Sequence, residues 1–338
     1  MNAADGDQTP AVIAPALEVG DDSDAFIKPP FGYFGAKQRL ANRIIEMLPP
    51  HNAWAEIFCG SAVVTLNKPR APIEVVNDLD SDIVNIFRVL RDNSSELMRL
   101  ISLTPYSREE FLLSRRRRIS LTPMERARQF LVASMMTVNG TVGSTHSGFS
   151  MSNSYARGGR EARVNRWYQL PARLEAVVER LRSVRVENLD AREMVRNFSD
   201  RPATLLYLDP PYLMDRSHTY ATDANVEQFH RELLQECVDA RCMIIVSGYK
   251  CDLYEEYLNR RNGWSARLVK TNTRGVEGVN IPRTEVLWVN SQFRSAKKRG
   301  SVPIRLSKNE SKEKKVNPAR TNGKPKSSNK IRKYARQP

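Results

Sequence analysis

A chain of 338 residues, 41% hydrophobic and 27% charged, has room for one large or two modest domains with a real core. No apolar run approaches the roughly 18–20 residues of a membrane span, and the first 27 residues carry six acids and no Lys or Arg, the wrong sign for a secretory leader. The four cysteines lack any C-x-x-C spacing and the four histidines lie apart from them, so the pattern predicts reduced thiols in a cytoplasmic protein and no metal site.

In chain order, short apolar or β-branched runs bounded by turn residues predict strands over 54–58, 74–77, 184–187, 205–208, 243–247 and 285–290. Helical periodicity predicts helices over 40–48, 80–90, 173–181, 226–240 and 253–260. Alternation of the two implies a doubly wound α/β sheet. The alternation breaks between about 93 and 165. That stretch offers a basic helical segment (Arg115 to Arg118, Arg126, Arg128) and a Gly/Ser/Asn-rich run over 139–159, the pattern of an inserted, mainly helical subdomain with loops.

The net charge of +15 is uneven. Residues 294–338 hold 16 Lys/Arg and two Glu, a contribution of +14, while residues 1–27 contribute −6 and the core +7. The basic tail is rich in Ser, Asn, Pro and Gly without apolar periodicity, which predicts an irregular arm suited to nucleic-acid phosphates. The expected organisation is therefore an acidic N-terminus (1–27), a core domain in two pieces (28–92 and 166–293), an insertion (93–165) and a basic tail (294–338).

Three constellations carry chemistry. Glu56-Ile57-Phe58-Cys59-Gly60-Ser61-Ala62 runs a strand into a turn of small residues, and Asp78 closes the next strand; in a doubly wound sheet an acid there can accept ribose hydroxyls, although a Gly-containing turn after a strand is common. Asp209-Pro210-Pro211-Tyr212 follows the apolar run 205–208. Two prolines donate no ladder bonds and stiffen the backbone, so a carboxylate and a carbonyl are held side by side next to an aromatic ring. That array suits a planar amine. Phe31-Gly32-Tyr33-Phe34-Gly35-Ala36-Lys37 precedes the first helix, with glycines that allow close approach and a Lys able to meet a carboxylate.

The order of these pieces (F-x-Y-x-G-x-K, E-x-F-x-G, an acid after the second strand, an insertion, then D-P-P-Y) resembles the Dam-type DNA adenine-N6 methyltransferases, particularly their phage and orphan branches. Val246-Ser247-Gly248-Tyr249 and Arg283-Thr284-Glu285-Val286-Leu287-Trp288 look like the same family, and the resemblance spans about residues 28–290. It implies a Rossmann-like methyltransferase sheet with a target-recognition insertion, S-adenosylmethionine as cofactor and double-stranded DNA as partner. It implies that Tyr33, Gly35 and Lys37 hold the methionine end of the cofactor, Lys37 near its carboxylate. Glu56, Phe58 and Gly60 would floor the site, Asp78 would take the ribose, and Leu79 and Leu189 would enclose the adenine. Asp209 and the Pro210 carbonyl would accept from the target N6 amine, with Pro211 stiffening the turn and Tyr212 stacking on the flipped base. Flipping follows from the chemistry, because N6 is paired inside the duplex.

Two departures are visible. Ala62 stands where many relatives carry Gly, which an Ala tolerates at negative φ. Asn139-Gly140 matches a DNA-contacting pair in the insertion, but Gly143 replaces an Arg that reads a guanine in some relatives, and a position without a side chain makes no bidentate contact. Asn139, Arg157, Arg160 and Arg163 are the candidate DNA contacts. The competing readings are a cytosine-N4 or RNA adenine methyltransferase, disfavoured by Asp rather than Ser at the head of D-P-P-Y, and a non-catalytic DNA-binding protein, disfavoured by the intact Lys37, Asp78, Asp209 and Tyr212.

Overall fold

The computed structural model describes residues 26–33, 37, 40–116, 120–138, 148–152, 154, 159–213, 227–274 and 280–303. Seven strands form one sheet: β1 (Ala53–Glu56), β2 (Ile73–Asn77), β3 (Val184–Glu187), β4 (Thr204–Leu208), β5 (Met243–Gly248), β6 (Ser265–Arg274) and β7 (Asn280–Val289). Their order is β3-β2-β1-β4-β5-β7-β6. The first five are mutually parallel, and β7 runs antiparallel to both its neighbours. The chain winds outward from β1 through β2 to β3, then returns to β4 beside β1. That reversal opens a crevice outside the carboxyl ends of β1 and β4, where open α/β sheets bind ligands.

Strand alternation assigns the two faces. Ala55, Val75, Leu206, Leu208, Ile244, Val246, Val286 and Trp288 pack against α8 (Ala191–Phe198), α9 (Glu227–Asp239) and α10 (Asp252–Tyr257). On the opposite face Trp54, Leu205, Tyr207, Met243, Ile245, Leu287 and Val289 meet α1 (Ala41–Met47), α2 (Val63–Asn67) and α11 (Ser291–Arg299). The same face continues over β2 and β3 to α3 (Ser81–Leu103), α5 (Pro123–Met136) and α7 (Leu170–Leu181).

The region from 93 to 165 contains α4 (Arg108–Ser114), α5 and α6 (Ala162–Tyr168). Asn93 breaks the long helix α3 with φ −154° and ψ 54°. Beyond that break Leu97, Ile101, Phe111, Phe130, Leu131 and Trp167 belong to the apolar cluster that also holds Val76, Ile83, Phe87 and Leu174. These helices therefore share the domain's core. Arg126 is directed inward to Asp82 at 2.6 Å, and Arg128 to Glu110 at 2.8 Å and Glu125 at 2.6 Å. Two cations expected on a basic face are thus ion-paired within the helical layer.

Four expectations shift. Strand β6 went unanticipated because most of its residues are polar and it lies at the sheet edge, and β7 starts earlier than the apolar run at 285. Helix α8 also went unanticipated, although Asp190 caps it by accepting from Arg192 N–H. Residues 294–299, assigned to the irregular tail, instead complete α11: the side chain of Asn290 caps it, and Phe293 and Ala296, three residues apart on one helical face, are buried against the sheet. Residues 1–25 and 304–338, and most of the Gly/Ser/Asn-rich run, lie outside the described residues. The cysteines are free thiols, three of them buried, and no described helix is long and apolar enough to cross a membrane.

Asn290 joins β5 to α11. Its Oδ1 accepts from Ile244 N–H (3.1 Å) and Phe293 N–H (3.0 Å), and its Nδ2 donates to the Cys242 carbonyl (2.8 Å). Asn290→Ala leaves three buried backbone groups unpaired and should cost about 3 kcal/mol, since each such group costs roughly 1–3 kcal/mol and part is recovered by relaxation. Urea denaturation monitored by circular dichroism checks this; a loss below about 1 kcal/mol would show the cap to be incidental.

Candidate active site

The carboxyl ends of β1 and β2 build the first half of the crevice. After Phe58 the chain turns through Gly60 (φ +47°), where an added Cβ would lie 2.9 Å from the Tyr33 ring, so only Gly admits this approach. Gly60 N–H donates to Asp78 Oδ2 at 2.9 Å, and Asp80 N–H donates to Oδ1 at 3.0 Å. Leu79 N–H is a third backbone donor to this carboxylate, which leaves it one of its four acceptor sites for a further donor. Burial pushes the Asp78 carboxyl up to about 6, against the pull of these backbone donors. Asn77 ties the neighbouring strands together: its Nδ2 donates to the Ile57 and Leu189 carbonyls at 3.0 and 3.1 Å, and its Oδ1 accepts from Leu189 N–H at 2.9 Å. Asn188 donates to the Asp78 and Leu79 carbonyls. Leu79 and Leu189 are thereby fixed relative to each other. Leu79 is 41% exposed, unusual for a large apolar side chain beside a core.

Glu56 is buried at the end of β1, where its Oε2 accepts from both the N–H (2.8 Å) and the hydroxyl of Thr65. Burial raises its carboxyl to about 7, outweighing those two donors. The Trp54 indole N–H donates to the same Thr65 hydroxyl at 2.7 Å. Glu56 therefore braces α2 against β1 beneath the turn. Phe58 meets Phe229 of α9 edge-on at 6.4 Å.

The second half lies beyond β4. Asp209 leaves the sheet where Pro210, Pro211 and Tyr212 are buried. Asp209 Oδ1 accepts from Ser247 Oγ at 2.7 Å, and Oδ2 lies 2.9 Å from Lys37 Nζ. Lys37, 6% exposed, also contacts the Tyr212 hydroxyl and lies 3.4 Å from Glu285 Oε2. Burial alone would lower its ammonium, but Asp209, Tyr207 and Glu285 outweigh that and raise it. The Tyr212 ring meets Tyr249 at 4.5 Å. Lys37, expected near the cofactor's carboxylate, lies against Asp209 and Glu285, anions that compensate a buried ammonium.

Lys37, Asp209 and Tyr212 thus share one cluster, while Tyr33, Glu56, Phe58, Gly60, Asp78, Leu79 and Leu189 line or underlie the adjoining turn region. Asn77, Asn188, Ser247 and Glu285 are the additions that sequence reasoning gave no role. Glu285 had a signal, an acid inside an apolar strand. The candidate DNA contacts are less complete. Arg160 lies over the Tyr168 ring at 4.1 Å and Arg163 is half-buried on α6. Gly35, Asn139, Gly140, Gly143 and Arg157 lie outside the described residues.

The chain matches the family model described as D12 class N6 adenine-specific DNA methyltransferase over residues 33–273. Similar solved structures include the precorrin-8W decarboxylase of Methanobacterium thermoautotrophicum, 10% identical over 75% of this chain and 89% of that one with a TM-score of 0.32. They also include the precorrin-6Y C5,15-methyltransferase of Geobacter metallireducens, 10% identical over 75% and 88% with a TM-score of 0.34. An S-adenosylmethionine-dependent methyltransferase of Agrobacterium tumefaciens is 9% identical over 75% and 60%, with a TM-score of 0.32.

Ala62 overturns one expectation: its φ is +54°, the left-handed region, and not negative. The turn must reverse at once into α2, and the Ala62 methyl is fully buried in the core. Changing Ala62 to Gly relieves about 1–2 kcal/mol of left-handed strain. It also forfeits about 0.8 kcal/mol for a buried methyl and about 0.5–1 kcal/mol of chain entropy. Ala62→Gly should therefore stay within about 1 kcal/mol of the parent, whereas Ala62→Val, β-branched at positive φ, should lose about 2 kcal/mol or more. Chemical denaturation of both variants distinguishes this from an ordinary buried alanine, for which the two costs would not separate in this way.

Proposed function

The chain belongs to the D12 class N6 adenine-specific DNA methyltransferases, whose family model covers residues 33–273, and on that premise we propose that it methylates the N6 amine of an adenine flipped out of duplex DNA. S-adenosylmethionine is the methyl donor in this family, and its sulfonium supplies an electrophilic methyl. The residues present fit it: a glycine turn that a Cβ would obstruct, a carboxylate at the end of β2 with an acceptor site to spare, and two apolar side chains at a fixed separation.

The observation that carries the reading is Asp209, a partly buried carboxylate held by Ser247 at the carboxyl end of β4 and followed directly by Pro210. The adenine amine is a poor nucleophile because its lone pair is delocalised into the ring. Two rigid acceptors, the Asp209 carboxylate and the Pro210 carbonyl, hold both N–H bonds and favour the geometry in which that lone pair faces the methyl group. They also stabilise positive charge as it develops on nitrogen. Tyr212 offers its ring to the base while its hydroxyl lies 3.4 Å from both Asp209 and Glu285. Asp78 accepts the ribose hydroxyls, and Leu79 and Leu189 cover the cofactor's adenine. Arg160 and Arg163, with the basic residues past α11, supply phosphate contacts.

Asp209→Ala should cut the single-turnover rate with labelled S-adenosylmethionine and unmethylated DNA by about a hundredfold or more, with an unchanged circular dichroism spectrum. A rate within tenfold of the parent's would remove Asp209 from the chemistry. Asp78→Asn should weaken cofactor binding by about tenfold, the worth of one charge-assisted hydrogen bond. Because the Asp78 carboxyl of the free chain titrates at about 6 and its ionised form is the acceptor, affinity in the parent should fall as the pH drops below that value. Calorimetry from pH 5 to 8 tests both; a pH-independent affinity would place the ribose elsewhere.

A further inference from the structure

Asp209 has two oxygens, and both are engaged. Oδ1 takes the Ser247 hydroxyl at 2.7 Å and also faces the Tyr212 hydroxyl at 3.4 Å, which occupies both of its lone pairs; Oδ2 takes the Lys37 ammonium at 2.9 Å. Ser247 is fully buried on β5 and also lies 3.2 Å from the Tyr207 hydroxyl, so it has little freedom to leave. Any amine that uses Asp209 must therefore share or take Oδ2, which makes Lys37 its rival donor. An ammonium left on that oxygen also draws charge from the carboxylate and weakens it as an acceptor. Yet Lys37 cannot be set free, because a buried cation without a partner is strongly disfavoured.

Glu285 resolves the conflict. Its Oε2 lies 3.4 Å from Lys37 Nζ, slightly beyond optimal contact, and 3.4 Å from the Tyr212 hydroxyl. It projects from β7, which is hydrogen-bonded to β5, so its distance from Asp209 is set by the sheet. A shift of the ammonium by about half an ångström would bring it to ordinary hydrogen-bond length from Glu285. We propose that Glu285 is a positioning residue that draws Lys37 off Asp209 as the target amine arrives, leaving Oδ2 to accept from that amine. The proposal rests on the functional reading above and adds to it a division of labour between two carboxylates: Asp209 for the amine, Glu285 for the lysine that would otherwise compete with it.

The test uses the full chain, its Glu285→Gln and Glu285→Asp variants, Lys37→Met, and the Lys37→Met/Glu285→Gln double variant. Glu285→Gln should slow single-turnover methylation of unmethylated DNA by about tenfold to a hundredfold while cofactor affinity by calorimetry stays within about threefold. Glu285→Asp should recover part of the rate. In the Lys37→Met background, Glu285→Gln should change the rate by less than about twofold, the non-additivity expected of residues that act through each other. A binding measurement needs no catalysis: duplexes carrying adenine or purine, which lacks the 6-amine, at the methylated position. The parent's preference for adenine over purine should shrink severalfold in Glu285→Gln, since the charge that draws Lys37 away from Asp209 is then removed. If the parent methylates DNA but Glu285→Gln keeps its rate and its adenine preference, or if its defect adds fully to that of Lys37→Met, the inference is wrong and the functional reading stands. If the parent methylates no DNA, both fall. Should Glu285→Gln fail to fold, Glu285→Asp carries the rate and binding tests, with an intermediate defect expected and parental behaviour contradicting the proposal.

Discussion

The pairing of a partly buried carboxylate with a buried ammonium at the carboxyl end of β4 is the interaction on which the rest of this molecule depends. Asp209 takes a hydroxyl on one oxygen and the ammonium on the other, the arrangement that compensates a partly buried anion. The partners come from distant parts of the chain: Lys37 from before α1, Ser247 from β5, Glu285 from β7. Only the doubly wound order, with β4 between β1 and β5 and β7 beside β5, brings them together. Pro210 and Pro211 contribute by removing donors that would otherwise continue the ladder, so the strand ends where the carboxylate is needed.

The other half of the crevice follows a different logic, backbone against side chain. Asp78 grips the Gly60 N–H across two strands, Asn77 bridges β1 and the segment after β3, and the turn between accepts a left-handed alanine. Strain at one residue and close approach at another persist because the surrounding strands over-determine the turn. The carboxyls of Glu56 and Asp78 are both raised by burial, so the charge this region carries depends on pH near neutrality.

Much of this was legible in the sequence, for stated reasons. Short apolar runs with turn boundaries located the five parallel strands, because strands buried on both faces have little alternative pattern. Asp209 and Asp78 could be singled out because each follows such a run. The polar edge strand β6 lacked that pattern, and the helix α11 was hidden inside a charge run in which only Phe293 and Ala296 mark the buried face. Periodicity also could not reveal that Lys37 and Asp209 form an ion pair 172 positions apart, since pairing at that separation is a property of strand order. The left-handed Ala62 was missed because nothing local to an alanine announces positive φ. Arg126 and Arg128 read as a basic face because their acidic partners Asp82 on α3 and Glu110 on α4 become neighbours only when those helices pack.

The central claim is the identity of the methylated atom. Incubating the chain with isotopically labelled S-adenosylmethionine and unmethylated double-stranded DNA, digesting the product to nucleosides and separating them by mass spectrometry reads it directly. Label confined to N6-methyldeoxyadenosine is the result this account predicts. Label in N4-methyldeoxycytidine, or transfer to RNA with DNA left unmodified, would contradict it.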